Sequence, residues 1–181
     1  MRSVLILSFL LSAGVAEAKK PEDVFGGKII VSERPFPMEA RSADAYIAAV
    51  KKQGKDRFIE DKENKHWRIF YAAFFKAPVN DLDVNLKFFD ITSGERLVEA
   101  YDQNLADTGQ RALVGKVTLK RGDGTGGYDP NTKIKMVMLS RGKVIATAVF
   151  TVIGEGRKFS GKVEFTEEEA QKGVKEEAPK K

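Results

Sequence analysis

Thr132–Ile153 reads TKIKMVMLSRGKVIATAVFTVI, two apolar, β-branched runs on either side of a tight Arg141-Gly142 turn. On the first run Ile134, Met136 and Met138 alternate with Lys133, Lys135 and Val137. On the second, Val144, Ala146, Ala148, Phe150 and Val152 alternate with Ile145, Thr147, Val149, Thr151 and Ile153. Successive side chains of a strand point to opposite faces, so a period of two held this long predicts a β-hairpin.

Working back from the hairpin, four more strands are expected. Ala112–Lys120 sets Leu113, Val117 and Leu119 against Val114, Lys116 and Thr118. Arg96–Tyr101 follows a Thr92–Glu95 turn, and Leu82–Ile91 places Leu82, Val84, Leu86 and Phe88 inward. His66–Lys76 differs from these. Trp67, Ile69, Tyr71, Ala73 and Phe75 form one apolar face, and Phe70, Ala72 and Phe74 form a second. Apolar residues on both faces call for cover on both sides. The cover for the second face is the one amphipathic helix, 42–53. Ser42 is its N-cap, Ala43, Tyr46, Ile47 and Val50 its stripe, and Gly54 its stop. Lys28–Ser32 is a further short strand, ended by Pro35 and Pro37, which cannot donate to a ladder.

These elements predict a mostly β protein, an antiparallel immunoglobulin-like β-sandwich with one N-terminal α-helix packed on it. The sandwich spans 28–165, with 162–165 (KVEF) as a last edge strand. Residues 19–27 are expected to form a flexible leader. Residues 166–181 are expected to be a charged, disordered tail, since Val174 is their only large aliphatic side chain. The chain has no cysteine, so disulfides, lipid anchoring at a cleavage-site cysteine and the usual structural zinc sites are all ruled out. The fold rests on its apolar core.

The first 18 residues have the form of a signal peptide. Arg2 supplies positive charge, Val4–Leu11 an apolar run, and Ala16-Glu17-Ala18 a small-x-small cleavage pattern. That run is too short for a permanent transmembrane helix, which takes roughly 20 residues, and no later stretch qualifies. The expectation is export to the periplasm or beyond, with no transmembrane segment.

Chemistry-bearing residues are sparse. His66, the one histidine, sits between Lys65 and Trp67 at the mouth of a strand, with no motif around it that would make it a base. No Gly-x-Ser-x-Gly elbow is present, and nothing favours an enzyme or a cofactor. The loop 121–131 (RGDGTGGYDPN) holds Asp123, Tyr128, Asp129 and Asn131 among glycines, oxygen ligands of the kind calcium takes, although the spacing fits no EF-hand. The basic segment Lys51, Lys52, Lys55 and Arg57 suits an anionic surface or an acidic partner, whereas nucleic acid is disfavoured by export and by interleaved acids such as Asp56 and Glu60. The function expected is non-enzymatic protein–protein contact in the cell envelope, through a partner the sequence does not identify. The alternative is a carbohydrate- or calcium-dependent binding module using loop 121–131.

Overall fold

The computed structural model describes residues 19–122 and 126–156. The predicted signal peptide, Asp123, the 162–165 strand and the charged tail lie outside the described residues. In chain order the elements are α1 (Pro21–Phe25), β1 (Lys28–Ser32), α2 (Ala43–Gln53), β2 (Arg57–Ile59) and β3 (His66–Val79). They continue with β4 (Asp83–Asp90), β5 (Arg96–Asn104), β6 (Gln110–Lys120), β7 (Thr132–Ser140) and β8 (Lys143–Ile153).

The hairpin is β7–β8. Arg141 and Gly142 both take positive φ, 49° and 74°, as the favoured two-residue hairpin turn requires. Across it Ile134 faces Phe150, Met136 faces Ala148 and Met138 faces Ala146. The two alanines are small because long methionines stand opposite them.

All eight strands belong to one sheet, in the order β5-β4-β7-β8-β1-β3-β6, with β2 alongside β8. The expected pair of antiparallel sheets gives way to a single curled, mixed sheet, a half-barrel. The far edge of β8 is shared by two short parallel partners. β1 meets it at Lys28 and Thr147, and β2 lies along Thr151–Ile153. β2 is three residues inside a charged run, and Phe58 is its anchor, meeting Phe150 edge-on at 5.4 Å between ring centroids. Trp67 Nε1 donates to Ile153 O at 2.9 Å, tying β3 to the end of β8.

The concave face holds the main core. Trp67, Ile69, Tyr71, Ala73 and Phe75 of β3 pack there with Leu86 and Phe88 of β4, Ile134 and Met136 of β7, and Phe150 and Val152 of β8. Burying each large side chain stabilises the fold by on the order of 1.5–3 kcal/mol. The second face of β3 is covered as its sequence requires, with Ala72 and Phe74 buried against Ile47 and Val50 of α2. Ser42 caps α2, its Oγ accepting from Ala45 N at 3.2 Å. Gly54 ends the helix without a left-handed backbone. Its role is close approach, since a Cβ there would lie 3.1 Å from Ile30 Cγ2. The leader is not loose throughout: α1 seats Phe25 on Phe74, ring centroids 5.0 Å apart. No helix among the described residues is long and apolar enough to cross a membrane.

The facing of β8 can be tested with two variants. Phe150 is buried in the concave core and Thr151 is half-buried on the opposite face. We expect Phe150→Ala to cost about 3–5 kcal/mol in urea melts, and Thr151→Ala to stay within about 1 kcal/mol. Equal losses would mean that the period of two does not separate the faces of this strand.

Candidate functional site

The two halves of the convex face are treated differently. Over β1, β3 and β6 the face is covered by α1 and α2. Over β5, β4, β7 and β8 no described element covers it. Alternation and register set the outward residues in rows. One row is Leu97 on β5, Phe89 on β4, Lys135 on β7 and Val149 on β8. The next is Ala100, Lys87, Val137 and Thr147, and a third is Lys133, Thr151 and Arg57. Leu97 is 51% exposed, Val149 46% and Ile59 on β2 73%, all large apolar side chains facing water.

Lys135 lies across this surface, its Nζ 6.0 Å from the Phe89 ring centroid and 2.9 Å from Glu95 Oε1. Lys87, Lys133 and Arg57 have no ion-pair partner among the described residues. The result is a largely apolar row, crossed by Lys135 and bordered by cations that have no ion-pair partner among the described residues.

Of the basic residues singled out in the sequence, Arg57 alone belongs to this face. Lys51 is exposed on the last turn of α2. Lys52 and Lys55 line a cavity of about 460 Å³ at the end of that helix, where Lys55 Nζ pairs with Glu33 Oε2 at 2.5 Å. The basic run therefore splits between two surfaces rather than forming one patch.

The residues of loop 121–131 mostly hold the loop in place. Arg121 enters it with Nη1 donating to both oxygens of the buried Glu60 carboxylate, at 3.1 and 3.0 Å, and Nη2 donating to Glu155 O at 2.7 Å. Asn131 exits at φ 63°, its Nδ2 donating to Gly154 O at 3.1 Å. The Asp129 carbonyl accepts from Thr132 Oγ1 at 2.7 Å. Tyr128, read in the sequence as a loop contact residue, is buried at 2% exposure and points into the core. Among the described residues, no group of three or more His, Cys, Asp or Glu side chains is arranged to hold a metal ion. His66 Nε2 stands 3.9 Å from Asp61 Oδ2.

Tyr128 belongs to an interior tyrosine cluster that the sequence did not reveal. Its hydroxyl donates to Glu99 Oε2 at 2.9 Å, and its ring meets Phe88 edge-on at 6.2 Å. Phe88 in turn stacks on Tyr101 at 5.9 Å. The Tyr71 hydroxyl donates to Gln103 Oε1 at 3.4 Å. Glu99 and Gln103 lie on edge strand β5, so these contacts clasp that edge to β3 and to the loop. Burial pushes the Tyr71 phenol up to about 12. Burial also raises Tyr101 and Tyr128, and the Glu99 carboxylate raises both further.

The chain matches no protein-family model, and comparison with curated proteins finds no significant relative.

The tyrosines predict an alkaline limit to stability. All four, Tyr46, Tyr71, Tyr101 and Tyr128, titrate above the ordinary value of 10.0 in the folded state. A raised pKa contributes stability that is complete below the unfolded value and is lost as pH rises through the folded one. Unfolding free energy should hence fall from about pH 10 upward. The ultraviolet signal of phenolate should appear together with loss of structure, and most of it well before unfolding would contradict the cluster.

Proposed function

We propose that this protein is an exported, non-enzymatic module that works by protein–protein contact through the convex face of β5, β4, β7 and β8. The observation that carries the reading is the uneven cover of one sheet. Helices bury the convex face on one half, while on the other Leu97 and Val149 stand open to water in one row with the half-buried Phe89 and with Lys135. Exposed apolar side chains gathered on one sheet face and rimmed by polar groups mark an interaction surface. Lys87, Lys133 and Arg57 at its border, without ion-pair partners among the described residues, favour a partner with acidic residues around an apolar centre. The same cations disfavour a second copy of the chain, which would bring like charges to the interface. Export to the periplasm or the exterior is proposed on the signal-like residues 1–18, with cleavage after Ala18.

Photocrosslinking in the native envelope tests the contact face. With benzoylphenylalanine in place of Leu97 or Val149, one discrete higher-mass adduct is expected, and none with the same group in place of Lys51. Leu97→Asp and Val149→Asp should each weaken that contact about tenfold or more, as loss of a central apolar anchor does. Equal labelling from Lys51, or none from the sheet face, would refute the assignment. For export, N-terminal sequencing of the processed protein should begin Lys19-Lys20-Pro21-Glu22.

A further inference from the structure

The cavity at the end of α2 is assembled from two segments far apart in the chain. β1 ends at Ser32, and the chain then passes through Glu33 and Arg34 to Pro35. α2 ends at Gln53, and Lys55 N donates to Val31 O at 2.9 Å, fastening the helix exit to the end of β1. This bond makes Ser32, Glu33 and Arg34 one wall and Lys52, Gln53 and Lys55 the other. The volume of this open cavity, about 460 Å³, is in the range of small-molecule sites.

The lining has unmet demands of two kinds. The first is charge. Three cations face one acid, and Glu33 is already taken by Lys55, so Arg34 and Lys52 have no ion-pair partner among the described residues. The second is hydrogen bonding. Gln53 Oε1 is buried with no hydrogen-bond partner among the described residues. A buried amide oxygen left unpaired is destabilising, and a 180° flip of the amide would only put an unpaired N–H in its place. Ser32 is 2% exposed, and its Oγ accepts from Arg34 N at 3.1 Å, which leaves its own O–H to donate.

We propose that this cavity binds an acidic sugar. Its carboxylate is held between Arg34 and Lys52, and its ring hydroxyls pair with Gln53 and Ser32. A bare anion would meet only the first demand and a neutral sugar only the second. Arg34 supplies the planar donor fork that suits a carboxylate, and Lys52 a point charge beside it. The site is separate from the convex contact face and does not rest on that reading. The same chemistry is offered by a free sugar acid and by the residues of an acidic polysaccharide.

NMR titration of the processed chain distinguishes the components, with glucuronate, acetate and glucose as probes. Glucuronate should shift the amides of Ser32–Arg34 and of Lys52–Lys55, with acetate at least about tenfold weaker and glucose producing no shift. Arg34→Ala combined with Lys52→Ala should weaken glucuronate about tenfold or more, while Lys51→Ala, outside the cavity, leaves it unchanged. Gln53→Leu should weaken glucuronate but not acetate, with the melting midpoint confirming that the variant is folded. If an oligoglucuronate binds more tightly than the monomer through the same amides, the natural source is a polymer; equal affinity points to the free acid. Acetate matching glucuronate would reduce the site to a charge pocket, and glucose matching it would remove charge from recognition. Either result, or shifts elsewhere only, overturns the proposal.

Discussion

The structure depends on one strand being buried on both faces. β3 sends Trp67, Ile69, Tyr71, Ala73 and Phe75 into the concave core and Ala72 and Phe74 out under the helices. A strand of this kind cannot lie at a wet surface on either side, so it requires two covers. The curl of the sheet supplies the inner one, bringing β4, β7 and β8 over the column. The outer one is α2, aided by α1. Gly115 shows how tightly the inner column is packed, since a Cβ on it would come within 2.4 Å of the Tyr71 hydroxyl. With no cysteine in the chain, this packing is what holds the ends of the sheet together.

Much of this was legible in the sequence because it is local. The period of two in β3, β4, β6, β7 and β8, the Arg141-Gly142 turn and the Ser42 cap all express rules that act over a few residues. What alternation cannot state is how strands close. The same in–out pattern serves one wall of a sandwich and one stave of a half-barrel, and only the order β5-β4-β7-β8-β1-β3-β6 separates them. β2 went unseen because three residues, one of them Phe58, are too few to show a period within a charged run. Leu82 shows the reverse error, an apolar residue at an apparent strand start that is 61% exposed just before β4 begins. Phe25 was hidden by Pro21 and the glycine pair of a polar leader.

The surfaces were less legible than the fold, for a physical reason. Lys51, Lys52, Lys55 and Arg57 look like one basic patch because they are close in sequence. The helix end at Gly54 and the bond from Lys55 N to Val31 O turn the chain between them, so their side chains serve different surfaces. The partners that give Lys52 meaning are Ser32 and Arg34, some twenty residues away. Leu97, Phe89 and Val149 likewise come from three strands and form a row only through register. Tyr128 misled in the other direction. Surrounded by glycines it reads as exposed, yet its ring has the apolar area to enter a core and its hydroxyl finds Glu99 there.

Among the described residues the half-barrel also leaves two open edges, β5 and β6, and an open edge is a template for pairing with another chain. Both edges here carry charge along their length: Arg96, Glu99 and Asp102 on β5, and Arg111, Lys116 and Lys120 on β6. Charged side chains blunt an edge, because an added strand would have to seat its own side chains among them. β5 is further engaged from within, where Glu99 and Gln103 accept from Tyr128 and Tyr71. Strand addition is thus opposed at both edges, while the convex face between β5 and β8 combines exposed aliphatic groups with cations that have no ion-pair partner among the described residues. A partner that docks flat on that face satisfies both, and one that extends the sheet satisfies neither.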